Sequence, residues 1–263
     1  MELSRALGLV LPGEVVALVG AGGKTAALYL LARELTAAGY CGILTTTTKI
    51  RLPTAEQSSQ LVVSDQLPEL QTEIRAALAR NPLVAVGAAR GPEGKLHGID
   101  PTWVGALRQG SGVDFVLVEA DGAAGRPLKG PASHEPVIPE TSTLVVPVVG
   151  ASALGKPLGT DTAHRPEIVA RLTGLSLGDN ITPEAVARLV LHPEGNTKGT
   201  PPSARVVPLI NQVDTPAHAV LARQVAARLL AHGLGRVVIA HLAASPPSVE
   251  IMAALVSPTG DTR

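Results

Sequence analysis

The sequence predicts an α/β fold, a doubly wound and mostly parallel sheet, on three observations. Apolar runs with the look of buried strands recur at residues 14–19, 113–119, 143–148 and 206–210. Segments of helical spacing separate them. The first run passes straight into a glycine-rich turn and a helix, the opening of a β-α-β unit, and such units are built with a right-handed crossover onto a parallel neighbour.

Taken in order, the strand at 14–19 is apolar on both faces, as a central strand covered by helices is. The helix at 24–38 repeats Leu28, Leu31, Ala32 and Leu35 at helical spacing, and Gly39 stops it. A strand at 41–46 completes the unit. Short strands follow at 61–63 and 83–86 with a helix at 68–80 between them. Residues 91–98 are turn-rich and read as a hairpin tip. A helix at 101–109 precedes the strand at 113–119, which carries Val113, Phe115, Val116, Leu117 and Val118. After the strand at 143–148 no strand stands out between 150 and 204, but 166–172 and 183–191 look like helices with proline in the first turn. That region reads as a helical insertion within a single domain of residues 1–263. The strand at 206–210, a helix at 216–232 and a last strand at 236–240 finish the alternation. The polar tail 257–263 is expected to fray.

Composition excludes several classes. With 45% hydrophobic residues the chain can bury a sizeable core, and with 2% aromatics that core is aliphatic. The same scarcity removes the stacking platform that single-stranded nucleic acid needs. The 22 basic and 22 acidic residues cancel, so no whole-molecule field draws the protein to nucleic acid or an anionic membrane. Cys41 is the one cysteine, which rules out an intramolecular disulfide and a cysteine metal cage; it is expected as a small buried hydrophobe. The seven histidines lack metal-ligand spacing. The first residues, Met1-Glu2-Leu3-Ser4-Arg5, lack the basic flank and apolar run of a signal peptide, and no stretch reaches membrane-span length. A cytoplasmic protein is expected.

The chemistry starts at Gly20-Ala21-Gly22-Gly23-Lys24-Thr25, between the first strand and the first helix. Glycines let a backbone turn tightly and aim N–H groups at an anion, and the helix N-terminus adds donors and the positive end of its dipole. In a phosphate loop Lys24 would reach the β- and γ-phosphates and the Thr25 hydroxyl would coordinate Mg²⁺. The usual pattern has glycine five residues before the Gly-Lys pair; Leu18 stands there. The shorter loop is similar to that of the Mur ligases. A dinucleotide fingerprint fails, because its third glycine falls on Thr25 and the second strand ends Thr45-Thr46-Thr47-Thr48-Lys49 without an acid.

A phosphate loop needs a carboxylate at the end of another central strand for Mg²⁺. Residues 115–122 supply Glu119, Asp121 and Gly122, and either acid fits. Glu119-x-x-Gly122 resembles the Asp-x-x-Gly element of GTPases, where the glycine amide senses the γ-phosphate; glutamate in first place resembles their metallochaperone branch. Thr45 to Thr48 stand on the edge where open α/β sheets bind ligands, their hydroxyls placed to meet a metal or an attacking water, and Lys49 and Arg51 add positive charge to the same rim. Asn211-Gln212-Val213-Asp214 resembles the guanine-reading Asn-Lys-x-Asp element, with Gln212 in place of lysine. Arg126 and Lys129 would meet a γ-phosphate or an anionic substrate, with His134 and Glu135 in reach, and His164-Arg165 is a second candidate anion site.

Together "LVGAGGKT", "TTTTKI", "VLVEADGAAGRPLKGP", "HEPVIP", "HRPE" and "LINQVD" resemble the YqeC family, over roughly residues 10–240. The resemblance implies a P-loop NTPase-like accessory factor for selenium-dependent molybdenum hydroxylases, or for selenium cofactor biosynthesis. In that reading ATP or GTP with Mg²⁺ is bound and hydrolysed. Lys24 and Thr25 hold phosphate and metal, Glu119 or Asp121 the metal-side water, and Arg126 or Lys129 the γ-phosphate or the substrate. The partners implied are a selenium- or molybdenum-containing cofactor and its client hydroxylase. A small-molecule kinase, with its substrate at residues 126–135, and a nucleotide-gated binding protein without turnover are the alternatives.

Overall fold

The computed structural model describes residues 1–54, 57–58 and 60–254, with the backbone alone at Glu93. The expectation for the tail at 257–263 lies outside the described residues.

A short helix α1 (Leu3–Leu7) precedes strand β1 (Glu14–Gly20), helix α2 (Lys24–Ala37) and strand β2 (Gly42–Thr46). Next come β3 (Lys49–Arg51), β4 (Leu61–Val63), α3 (Leu67–Leu78), β5 (Leu83–Gly87), β6 (Ala89–Gly91), β7 (Lys95–His97), α4 (Trp103–Ser111) and β8 (Phe115–Glu119). The chain continues through β9 (Leu128–Lys129), β10 (Leu144–Gly150), β11 (Ala163–His164), α5 (Pro166–Thr173), α6 (Pro183–Leu191), β12 (Arg205–Val206) and β13 (Leu209–Asn211). It ends in α7 (Pro216–Ala231), β14 (Arg236–His241) and β15 (Ser248–Ala253).

The main sheet runs β15-β14-β13-β10-β1-β8-β2-β5-β4, with β12 also paired to β10. Every neighbour pair in it is parallel except β14 with β15. One apolar layer joins α1 and α2 to the sheet through Val16, Leu18, Phe115, Leu117 and Val146. Alternate residues of the same strands carry the other face: Val15, Ala17 and Val116 meet α3 and α4, while Ile210, Val237 and Ile239 meet α5, α6 and α7. Helices on both faces of a mostly parallel sheet make the fold doubly wound and P-loop-like. The chain runs from β1 to β2 on one side, and after β8 it crosses β1 to β10 on the other, so the crevice at the C-terminal end of β1 is a topological switch point.

Local chemistry explains where the sequence expectations slip. The strand expected at 206–210 is two strands, because Pro208 has no N–H to give the ladder. Pro147 of β10 falls at the same break: β10 pairs β12 at Leu144 and Val145, and β13 from Val148 onward. Helix α1 was not expected; its first amides, Leu3 and Ser4, are held by the Glu34 carboxylate of α2 at 2.9 and 2.8 Å. The strand at 236–240 is not the last, since β15 pairs antiparallel to it as an edge strand. The region 150–204 packs Val169, Leu172, Val186 and Leu189 onto α7, and it contributes β11, which pairs with β9. Cys41 is partly exposed rather than buried.

Candidate functional site

The site is built where β1 turns into α2. Gly22 and Gly23 sit at φ +82° and +118°, which L side chains rarely adopt. A Cβ on Gly22 would collide with the Gly150 backbone, and one on Gly23 with the Asn211 amide. The amides of Gly23, Lys24 and Thr25 stand at the N-terminus of α2, where no intrahelical acceptor exists. The other loop amides do not point outward as a simple nest requires. Gly20 N–H donates to Asp121 Oδ2 (3.0 Å), Ala21 N–H to Val148 O (2.9 Å) and Gly22 N–H to Arg126 O (3.1 Å).

Lys24 is 3% exposed rather than a solvent-facing phosphate lysine. Its ammonium donates to Gly20 O at 2.6 Å and lies 3.0 Å from Asp121 Oδ1 and 3.9 Å from Glu119 Oε1. Strand β8 neighbours β1 in parallel register, Leu18 opposite Glu119, and that pairing brings the carboxylates to the loop. The Thr25 hydroxyl donates to Glu119 Oε2 at 2.9 Å.

The two acids are therefore unlike. Asp121 takes Gly20 N–H, Lys24 and, at 3.0 Å, Lys129, so it fills the place of an anion in the loop. Glu119 is the less compensated one. Burial lifts its carboxyl above the ordinary glutamate range, and Lys24 and the Thr25 hydroxyl offset this only in part. The same charge, after burial, raises the Tyr29 phenol on α2 to about 12. A hydroxyl and an under-compensated carboxylate side by side suit a hard, oxygen-seeking cation such as Mg²⁺.

Lys129 is fully buried, not a free cation for phosphate. It bridges Asp121 and Glu135, each at 3.0 Å. Arg165, at φ +58° before α5, binds Glu135 at 2.6 Å, so the anion at His164-Arg165 is the protein's own. Arg126 keeps its freedom: its side chain is 41% exposed, with Asp161 3.9 Å from the guanidinium. Gly122 follows Asp121 and would accept a Cβ without a clash, unlike the loop glycines. Three of the four threonines are tied up, Thr45 to Val86 O, Thr46 to Glu119 O and Thr47 to Val137 O. They brace the edge of β2 rather than facing a metal or water.

Asn211 clamps the loop, donating to Gly22 O at 2.8 Å while its oxygen accepts Leu242 N–H at 3.1 Å. Beside it a cavity of about 420 Å³ is lined by Pro127, Ser152, Gln212, Asp214 and His241. Asp214 lies 3.3 Å from His241 Nε2. Gln212 is at φ +61° and accepts from the Ser152 hydroxyl at 2.6 Å. One residue escaped sequence reasoning altogether. Asn196, 2% exposed, stands against Gly20, and neither of its amide atoms has a hydrogen-bond partner among the described residues. It lies after α6 in a stretch without a motif, so nothing local marks it.

Among the described residues no helix is long and apolar enough to cross a membrane, and no three His, Cys, Asp or Glu side chains gather as a metal cluster. Comparison with known proteins places the geometry in a family. The model of the family described as "YqeC protein" matches residues 16–167, which takes in the glycine turn, both carboxylates and Arg165. "Uncharacterized protein YqeC" of Escherichia coli (strain K12) is 36% identical over 198 residues, 75% of each chain. The chain belongs to the YqeC family.

Proposed function

We propose that the protein binds a nucleoside triphosphate with Mg²⁺ and hydrolyses it, as an accessory factor in the maturation of selenium-dependent molybdenum hydroxylases in the cytoplasm. The observation that carries the nucleotide part is the convergence of Lys24, Thr25 and Glu119 at a glycine turn on the switch point of the sheet. The hydroxylase part comes from the family resemblance alone, with a selenium- or molybdenum-containing cofactor and its client as the partners.

In this reading the polyphosphate replaces Asp121 as the anion on Lys24 and lies against the amides of Gly23, Lys24 and Thr25. Thr25 and Glu119 hold Mg²⁺, which supplies charge neutralisation of the phosphoryl group. Glu119 outranks Asp121 for this role because the charge of Asp121 is already met by Lys24 and Lys129, with the Gly20 amide on its Oδ2. Arg126, at the loop and exposed, meets the γ-phosphate, while Lys129 keeps Asp121 in place. The base lies toward Asn211 and Asp214, in the cavity beside the loop.

The test is equilibrium binding of ATP and of GTP, with Mg²⁺ and with chelator, to the native protein and to Thr25→Ala. Mg²⁺ should tighten binding to the native chain about tenfold or more, and Thr25→Ala should lose that increment at a cost in stability of about 1 kcal/mol, from the hydroxyl it takes from buried Glu119. Released phosphate, with no acceptor added, reports hydrolysis, and a client hydroxylase should change its rate. Absence of binding by either nucleotide in Mg²⁺ contradicts the proposal.

A further inference from the structure

A second cavity, of about 510 Å³, opens at the same sheet edge beyond β8, away from the Asn211 side. Thr47, Thr48, Lys49, His97, His134 and Glu135 line it. It adjoins the phosphate loop through the main chain: Thr46 hydroxyl and Thr47 N–H both donate to Glu119 O, at 2.7 and 3.3 Å. Its size suits a small organic molecule.

Its chemistry is set by the small antiparallel sheet β3-β7-β6 that hangs over it. Register places Lys49 opposite His97 and Arg51 opposite Lys95. Residues two apart on a strand share a face, so Lys49, Arg51, Lys95 and His97 all stand on one face of this sheet. The opposite face buries Leu96 at 1% exposure. Like charges directly across a strand pair destabilise it, and Arg51 with Lys95 is such a pair. Among the described residues no carboxylate comes within ion-pair distance of Lys49, Arg51 or Lys95. Glu135, the acid in the lining, does not oppose this field, because Lys129 and Arg165 neutralise it at 3.0 and 2.6 Å. On the far wall Lys198 grips the carbonyls of Ala132 and Ser133 at 2.8 and 2.9 Å and so fixes the turn that presents His134.

A basic face kept at a cost in strand pairing, over a cavity whose acid is already neutralised, is complementary to clustered negative charge. We propose that this cavity is a second ligand site, for a small organic polyanion whose anionic groups rest on Lys49, His97 and the Arg51–Lys95 rim. It lies where a second substrate would meet the polyphosphate. That placement rests on the nucleotide reading, but the cavity's own chemistry does not.

The test uses the full chain with ¹⁵N-labelled histidine, His97 and His134 being assigned through His97→Gln and His134→Gln. Citrate is titrated at constant ionic strength with no nucleotide or divalent metal added. The two resonances should move together and saturate, and acetate should move them little. The double substitution Lys49→Ala with Lys95→Ala, at residues that bear on no apolar core, should weaken citrate about tenfold with a melting temperature no lower than native, since it relieves the Arg51–Lys95 repulsion. Lys24→Met should leave the citrate titration as it is, which separates this site from the phosphate loop. No saturable movement, equal response to acetate, or an unaltered affinity in the double variant overturns the proposal. Failure of ATP and GTP to bind would leave this result standing, so the two readings fall separately.

Discussion

Glu119 and Glu135 are buried carboxylates at one edge of one sheet, each beside a buried lysine, yet their protonation is pushed in opposite directions. At Glu119 burial dominates, and Lys24 at 3.9 Å with one hydroxyl does not cancel it. At Glu135 burial also pushes upward, but Lys129 at 3.0 Å, the Ala132 amide and Arg165 outweigh it and hold the carboxyl below its ordinary range. The difference separates a group left short of partners, ready for a cation, from a group whose partners are complete. Under the proposed function the first would serve chemistry, whereas the second serves architecture: the Glu135 end ties β9 and the start of α5 together, and through Lys129 it steadies Asp121 under the loop.

Breaking the complete end should have the largest effect on folding. Glu135→Ala leaves fully buried Lys129 with Asp121 alone and frees Arg165, and loss of one partner of a buried pair costs about 3–5 kcal/mol. A urea melt showing less than 1 kcal/mol would erase the contrast.

Lys24→Met is expected to reduce triphosphate affinity about a hundredfold, some 2.7 kcal/mol. It should also lower stability by about 1–2 kcal/mol, because the ammonium is buried, although Asp121 retains Lys129 and the Gly20 amide. Calorimetric titration and melting separate the two quantities. A stability unchanged by the substitution would mean that Lys24 sits as exposed as its motif suggests.

Glu119→Gln sharpens the comparison through pH. A carboxyl whose pKa is raised on folding favours the native state fully below its unfolded value and loses that contribution as pH climbs through the folded value. The stability gained by Glu119→Gln should therefore appear above the ordinary glutamate value of 4.5 and level off at higher pH. Mg²⁺ should no longer strengthen nucleotide binding. Glu135→Gln should run the other way: its pKa is lowered, so its contribution is present above 4.5 and fades as pH falls through the folded value. Parallel pH profiles for the two variants would contradict the assignment.

The smallest change is expected at Arg126. With its guanidinium at the surface, Arg126→Ala should shift stability by less than about 0.5 kcal/mol. It should slow phosphate release while leaving nucleotide affinity close to native. An equal loss of affinity and rate would place Arg126 in ground-state binding.

Much of this was legible in the sequence where the signal is local. The glycine turn, the strand ending at Glu119 and the proline-led helices each declare themselves within a few residues. What stayed hidden depends on partners distant in the chain. Glu34 caps α1 from thirty residues away, and Pro208 splits a strand whose break matters only beside Pro147 on the neighbouring strand. At the site, the motif named Lys24, Asp121 and Lys129 as free charges, whereas three-dimensional pairing uses them on one another. Of the basic face only Lys49 and Arg51 could be named from the sequence, since Lys95 and His97 join them through strand register.

The most direct measurement is a crystal structure grown with Mg²⁺ and a non-hydrolysable triphosphate. The account predicts Lys24 Nζ withdrawn from Asp121 and resting on the β- and γ-phosphate oxygens, with the metal beside Thr25 Oγ1 and Glu119. Lys24 still locked to Asp121 at 3.0 Å, with the nucleotide bound elsewhere or not at all, would contradict it.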